Sequence, residues 1–150
     1  MKSSPRRILV ATDFSAGSDE ALTEAIGLAK QSNAELEIVY VLELGVEEFP
    51  FGLTYYGSDR GGVVAQIDRA LAERADHAKK AGIACRTNML EGSAAIEVVR
   101  RAREAGAELV VVGTHGRTGL AHILLGSVAE KIVRHSTCPV LTVPFSKKAA

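Results

Sequence analysis

Residues 7–42 read RILVATDFSAGSDEALTEAIGLAKQSNAELEIVYVL, and this stretch decides the fold. Arg7-Ile-Leu-Val-Ala11 is short, continuous and rich in branched side chains, which suits a strand covered on both faces rather than a half-exposed one. Thr12-Asp13-Phe14-Ser15-Ala16-Gly17 ends it. Ser18 then stands where an N-cap would, Asp19 and Glu20 fill a first turn, and Ala21, Leu22, Ala25, Ile26 and Ala29 recur on one helical face. This pattern predicts a helix over Ser18–Gln31. The turn-forming pair Ser32-Asn33 leads into a second apolar strand, Leu36–Leu42. The stretch is a β-α-β unit, and such units build parallel sheets.

The rest of the chain continues the alternation. From Glu43 to Gly62 the pattern breaks, with Pro50, Gly52, Gly57, Gly61 and Gly62 set among Phe51, Tyr55 and Tyr56, and a long loop is expected. Val64–Ala81 has Ile67, Leu71 and Ala75 at four-residue steps and Gly82 as a stop, which predicts a helix. Ile83–Leu90 reads as the third strand. Gly92-Ser93 opens a helix with Ile96, Val99 and Ala102 as its expected inner face, closed by Gly106. Leu109–Val112 is wholly apolar and so expected to be central. A Gly-rich segment, Gly113–Gly126, precedes a helix over Ser127–His135 and a last strand, Val140–Val143.

Five strands alternating with four helices, without a linker or an internal repeat, predict one α/β domain over residues 1–150 with an open parallel sheet and helices on both faces. The expected strand order is 3-2-1-4-5. In such a sheet the ligand crevice lies at the switch point, outside the carboxyl ends of strands 1 and 4. Thr12-Asp13 and the Gly-rich segment therefore meet there.

Composition narrows the function classes. The chain has 150 residues, of which 47% are hydrophobic and 24% charged, enough to bury about 70% of its unfolded surface in a core. Eighteen basic residues balance eighteen acidic ones, so the surplus of positive charge needed to neutralise nucleic-acid phosphates is missing. Apolar runs such as Ile8–Ala11 and Leu109–Val112 fall far short of the ~20 residues that span a bilayer. The stretch after Lys2, Arg6 and Arg7 is too short for a signal peptide, and a cytoplasmic location is expected. Cys85 and Cys138 stand far apart and read as two small buried thiols rather than a disulfide.

Gly113-Thr-His-Gly-Arg-Thr-Gly-Leu-Ala-His-Ile-Leu-Leu-Gly126-Ser127 has the residue types that phosphate binding needs. Glycine lets the main chain approach an anion, a helix start offers unpaired N–H groups, and Ser127 adds a hydroxyl donor. The alternative is that Gly113 and Gly116 only turn the chain and Ser127 only caps a helix. The segment is neither a P-loop nor a dinucleotide fingerprint. Gly113, Gly116, Gly126 and Ser127 instead fit the pattern Gly, two residues, Gly, nine residues, Gly-Ser, which closely resembles the ATP-binding branch of the universal stress protein family. The resemblance extends to Thr12-Asp13, Tyr40-Val41 and the ending Cys138-Pro139-Val140-Leu-Thr-Val143.

That resemblance implies adenosine contacts from Thr12, Asp13 and the Val41 main chain. It implies ribose and phosphate contacts from Gly113, Gly116, Gly126, Ser127 and Val128, with His115 and Arg117 in the same loop. Arg117 either meets a phosphate or is a solvated loop arginine, Asp13 could simply accept local N–H bonds, and His122 and His135 read as structural. The implied ligand is ATP, with Mg2+, or else AMP or cyclic AMP. The implied role is a nucleotide-dependent stress-response regulator or sensor with slow or no ATP hydrolysis, working as a homodimer joined through Val140–Val143. A slow ATPase or self-phosphorylating enzyme, and a dimeric interaction module without nucleotide, are the alternatives. No catalytic set for efficient phosphate hydrolysis is legible, and the aspartate and lysine of a response regulator are replaced by Leu90 and Pro144.

Overall fold

In the computed structural model, which describes residues 3–43, 60–115 and 125–146, the chain runs β1 (Arg7–Ala11), α1 (Ala16–Ser32), β2 (Glu35–Leu42), α2 (Arg60–Lys80), β3 (Cys85–Glu91), α3 (Ala94–Ala105), β4 (Leu109–Gly113), α4 (Ser127–His135) and β5 (Val140–Val143). The strands form one parallel sheet in the order β3-β2-β1-β4-β5, as the sequence predicts. Successive side chains on a strand point to opposite faces, so the sheet divides the core in two. Ile8, Val10, Ile38, Tyr40, Leu109 and Val111 pack with residues of α1 and α2 on one face. Leu9, Val39, Val110 and Val112 pack with Ala95 and Val98 of α3 and Ala129 and Ile132 of α4 on the other. Continuous apolar strands result because β1 and β4 are covered on both sides.

Three helices end in the same way, and each ending aims the next strand. Asn33, Gly82 and Gly106 take the left-handed conformation at φ 53, 82 and 65. The following residues, Ala34, Ile83 and Ala107, donate their N–H groups back to the carbonyls of Ala29, Ala78 and Ala102. This six-to-one bond caps the orphan carbonyls of a helix terminus. It also explains why β3 begins at Cys85 and not at Ile83, whose N–H is taken by the end of α2.

Other boundaries differ for tertiary reasons. The cap of α1 is Ser15, whose side chain accepts from the Ser18 N–H, and Ser18 lies buried in the first turn. Helix α2 begins at Arg60 and takes Gly61 and Gly62 into its first turns, because Val63, Ile67, Leu71 and Ala75 form one buried stripe. The expected loop thus gives up its last three residues, and its aromatic residues Phe51, Tyr55 and Tyr56 lie outside the described residues. Helix α3 is rotated by one position: Ala95, Val98 and Ala102 face inward while Ile96 is 66% exposed.

A buried charge accounts for that rotation. Glu37 on β2 is only 4% exposed. Its Oε1 accepts from Arg101 Nε of α3 at 2.8 Å and lies 3.5 Å from Asn88 Nδ2, and its Oε2 accepts from Arg86 Nη2 at 3.4 Å. With Ala95, Val98 and Ala102 inward, Arg101 comes alongside Glu37, and small residues let the helix approach closely. Cys85 and Cys138 are free and only partly buried, short of the full burial expected. Burial pushes the Cys85 thiol up to about 11 against the opposing pull of the Lys79 ammonium, which keeps it protonated and unreactive near neutrality.

Arg101→Met leaves the buried Glu37 carboxylate with only its more distant partners, and we expect a loss of about 2–3 kcal/mol in denaturant unfolding. A Glu37→Leu/Arg101→Met double variant should recover most of it; equal losses in both would show that α3 is oriented by packing alone.

Candidate functional site

At the carboxyl end of β1 the chain is held by its own side chains. The buried Thr12 Oγ1 accepts from the Phe14 N–H at 3.0 Å and shares a hydrogen bond of 3.1 Å with Ser18 Oγ. Asp13 Oδ1 accepts from the Ser15 N–H at 3.0 Å. These bonds close the turn between β1 and α1 and leave Asp13 on the wall of a cleft.

The second side comes from β4 and α4. The Thr114 N–H donates to the Val143 carbonyl, continuing the β4–β5 ladder, and the Thr114 carbonyl accepts from the Gly126 N–H at 2.6 Å. The two ends of the Gly-rich segment are thereby tied together. Gly113 and Gly126 have a local reason to be glycine: a Cβ on Gly113 would lie 3.1 Å from the Gly17 carbonyl oxygen, and one on Gly126 3.0 Å from that of Thr114. Gly17, which the sequence reading did not single out, is the tightest point, since its Cβ would stand 2.8 Å from the His115 carbonyl oxygen. His115 also pairs through Nδ1 with Thr114 Oγ1 at 2.9 Å.

Between these elements lies a cleft of about 300 Å³, within the usual range for small-molecule sites. Thr12, Asp13, Val41, Gly113, His115, Gly126, Ser127 and Val128 all line it, so eight of the expected positions are brought together. Gly116, Arg117 and His122 lie outside the described residues, and His135 is exposed at the far end of α4. The walls are apolar at Val39, Val41, Val98, Val112 and Ala129. The cap position of α4 is Gly126, which has no side chain to accept from the first turn, and among the described residues no side chain caps this helix start beside the cleft.

One wall of the cleft comes from residues to which the sequence pattern assigns no clear role. Glu43 lines the cleft and accepts the Ala94 N–H at 2.9 Å, capping α3 from the end of β2. Ala94 and Val98 of α3 enter the lining with it. The available signal was an acid just past β2, at the same end of the sheet as Asp13; in the structure the cap residue of α3, Ser93, makes no side-chain cap bond, and Glu43 takes that place. A second hollow of about 230 Å³ opens at the other end of the strands, where Glu37 and Arg86 are already paired with each other. Among the described residues no three His, Cys, Asp or Glu side chains are grouped to hold a metal, and no helix is long and apolar enough to cross a membrane.

A doubly wound parallel sheet with its cleft at the switch point is the class of α/β protein that takes ligands between the ends of β1 and β4. The universal stress protein family model matches residues 5–144, and the chain belongs to that family. It is 39% identical over 149 residues to universal stress protein MJ0531 of Methanocaldococcus jannaschii, covering 95% of this chain and 84% of the relative. Among solved structures, the hypothetical protein MJ0577 superposes with a TM-score of 0.81 at 25% identity, covering 95% of this chain and 98% of that one. A universal stress protein in complex with cAMP superposes with a TM-score of 0.73 at 32% identity, covering 96% of this chain and all of that one.

Gly17→Ala should push the His115 main chain off the start of α1 at a cost of about 1–3 kcal/mol, because a backbone oxygen has little room to move. Urea unfolding measures it; an unchanged midpoint would mean that α1 can withdraw without loss.

Proposed function

We propose that the chain is an ATP-binding universal stress protein, one domain acting as a nucleotide-dependent regulator or sensor of stress with slow or no hydrolysis. The observation that carries this reading is that Asp13 and the glycine-capped start of α4 line one cleft. Its apolar valines suit a base, and main-chain N–H groups at a positive helix end suit phosphates. The cAMP complex of a 32% identical relative supports an adenine nucleotide in this fold. In this reading Asp13 and the Val41 main chain hold adenosine, with Thr12 beside them. Gly113, Gly116, Gly126, Ser127 and Val128 hold ribose and phosphates, with His115 and Arg117 nearby.

Mg2+ would arrive with the phosphates of ATP as its main ligands. The Asp13 and Glu43 carboxylates each accept a main-chain N–H, which favours positioning roles over that of a general base. Mass spectrometry of nucleotide released from the purified protein distinguishes ATP from AMP and cyclic AMP. Asp13→Ala should weaken ATP binding by about 1–3 kcal/mol in titration calorimetry. Gly126→Ala is a blunter probe, since the added carbon also crowds the Thr114 carbonyl. No bound nucleotide and no calorimetric response would overturn the reading.

The assembly in this reading is a homodimer joined through Val140–Val143. β5 is an edge strand, and Leu141 on it is 37% exposed. The carbonyls of Pro139 and Val143 face β4, so by alternation the N–H and C=O of Val140 and Thr142 face outward. Thr142→Pro removes an outward donor and leaves the β4 ladder intact, and light scattering should then report monomers in place of dimers. A monomeric unmodified protein at micromolar concentration would count against this assembly.

A further inference from the structure

The turn that presents Asp13 contains a strained residue. Phe14 sits at φ 65, a left-handed conformation that aromatic residues seldom adopt and that persists only where surrounding contacts determine it. Its ring is nearly buried and stacks on Tyr40, with centroids 4.5 Å apart and planes 9° from parallel. The guanidinium carbon of Arg74, from the middle of α2, lies 4.7 Å from the same ring centroid.

Arg74 makes further contacts with this turn. Its Nη2 donates to the Phe14 carbonyl at 3.3 Å. Nε and Nη2 donate to the two Asp19 carboxylate oxygens, at 2.8 and 3.2 Å, and Nη1 donates to the Ala70 carbonyl at 3.1 Å. A fork of fixed geometry that also stacks on an aromatic face is a property of arginine that lysine lacks. The local bonds from Thr12 and Asp13 engage the N–H groups of Phe14 and Ser15. Arg74 engages the Phe14 carbonyl and ring, so the strained residue is held from both its amide and its carbonyl side.

We propose that Arg74 is a positioning residue for the cleft: it clamps Phe14 in its left-handed conformation and thereby fixes the direction in which Asp13 enters. The proposal rests on the reading of Asp13 as a nucleotide contact. An ion pair that only glued α2 to α1 would need Asp19 and nothing from Phe14. The observed arrangement spends the face and one N–H group of the guanidinium on Phe14, the neighbour of Asp13.

The test uses the full chain as wild type, Arg74→Met, Asp13→Ala and the double variant, with Arg74→Lys as a milder substitution should the methionine variant not fold. Without nucleotide, hydrogen exchange at the Phe14 and Ser15 amides should accelerate in Arg74→Met while Ile8–Val10 keep their protection. ATP affinity should fall about tenfold in the otherwise wild-type chain but less than about twofold in the Asp13→Ala background, because Arg74 acts through Asp13. Arg74→Lys, which keeps the charge, should lose affinity in the same background-dependent way. Unchanged exchange, or equal losses in both backgrounds, would overturn the positioning role. A wild-type chain that binds no ATP while Arg74→Met still loosens the turn would overturn the nucleotide reading and leave Arg74 as the clamp of the turn alone.

Discussion

The start of α1 and the end of β4 meet main chain against main chain, and the cleft depends on that approach. Gly17 lies under the His115 carbonyl and Gly113 under the Gly17 carbonyl, each so close that a side chain would have to displace backbone. Only glycine permits this approach, and the closeness of the two main chains limits the angle at which α1 leaves the sheet. That angle brings the turn at Asp13 alongside the residues that follow β4. The hydrogen bond from Gly126 to Thr114 then returns the chain to the same place, so α4 starts where α1 starts.

Helices α1, α3 and α4 present their N-terminal ends to the cleft at the carboxyl ends of the strands, each treated differently. Ser15 caps α1, and the carboxylate of Glu43, reaching across from β2, caps α3. Helix α4 has glycine at its cap and, among the described residues, no side-chain acceptor. A positive helix end capped by glycine, beside an apolar wall, is suited to an anionic ligand with a flat hydrophobic part.

The far ends of the strands serve a different purpose. Glu37, deep under α3, is matched by Arg101, Arg86 and Asn88, and a buried carboxylate so satisfied fixes rotation and register more than it adds stability. The rotation of α3 passes along the helix to its other end, where Ala94 and Val98 complete the wall of the cleft. Arg74 is the equivalent on the opposite face, tying α2 to the turn after β1.

The strands and their order are legible in the sequence, because continuous apolar runs separated by helical periodicity admit few parallel arrangements and the right-handed crossover rule leaves fewer. So is the meeting of Asp13 with Gly113, Gly126 and Ser127, since the switch point follows from that order. The stops at Gly82 and Gly106 were legible because a left-handed cap is a local requirement. Which face of α3 turns inward is set by long-range packing, since Ile96-Val99-Ala102 and Ala95-Val98-Ala102 satisfy a helical period equally well and the choice lies with Glu37. Helix α2 likewise extends through two glycines because Val63 finds a place in the core. Glu43 on α3, Gly17 under His115 and Arg74 on Phe14 join residues 51 or more positions apart, and no local pattern in a sequence records a contact made at that distance.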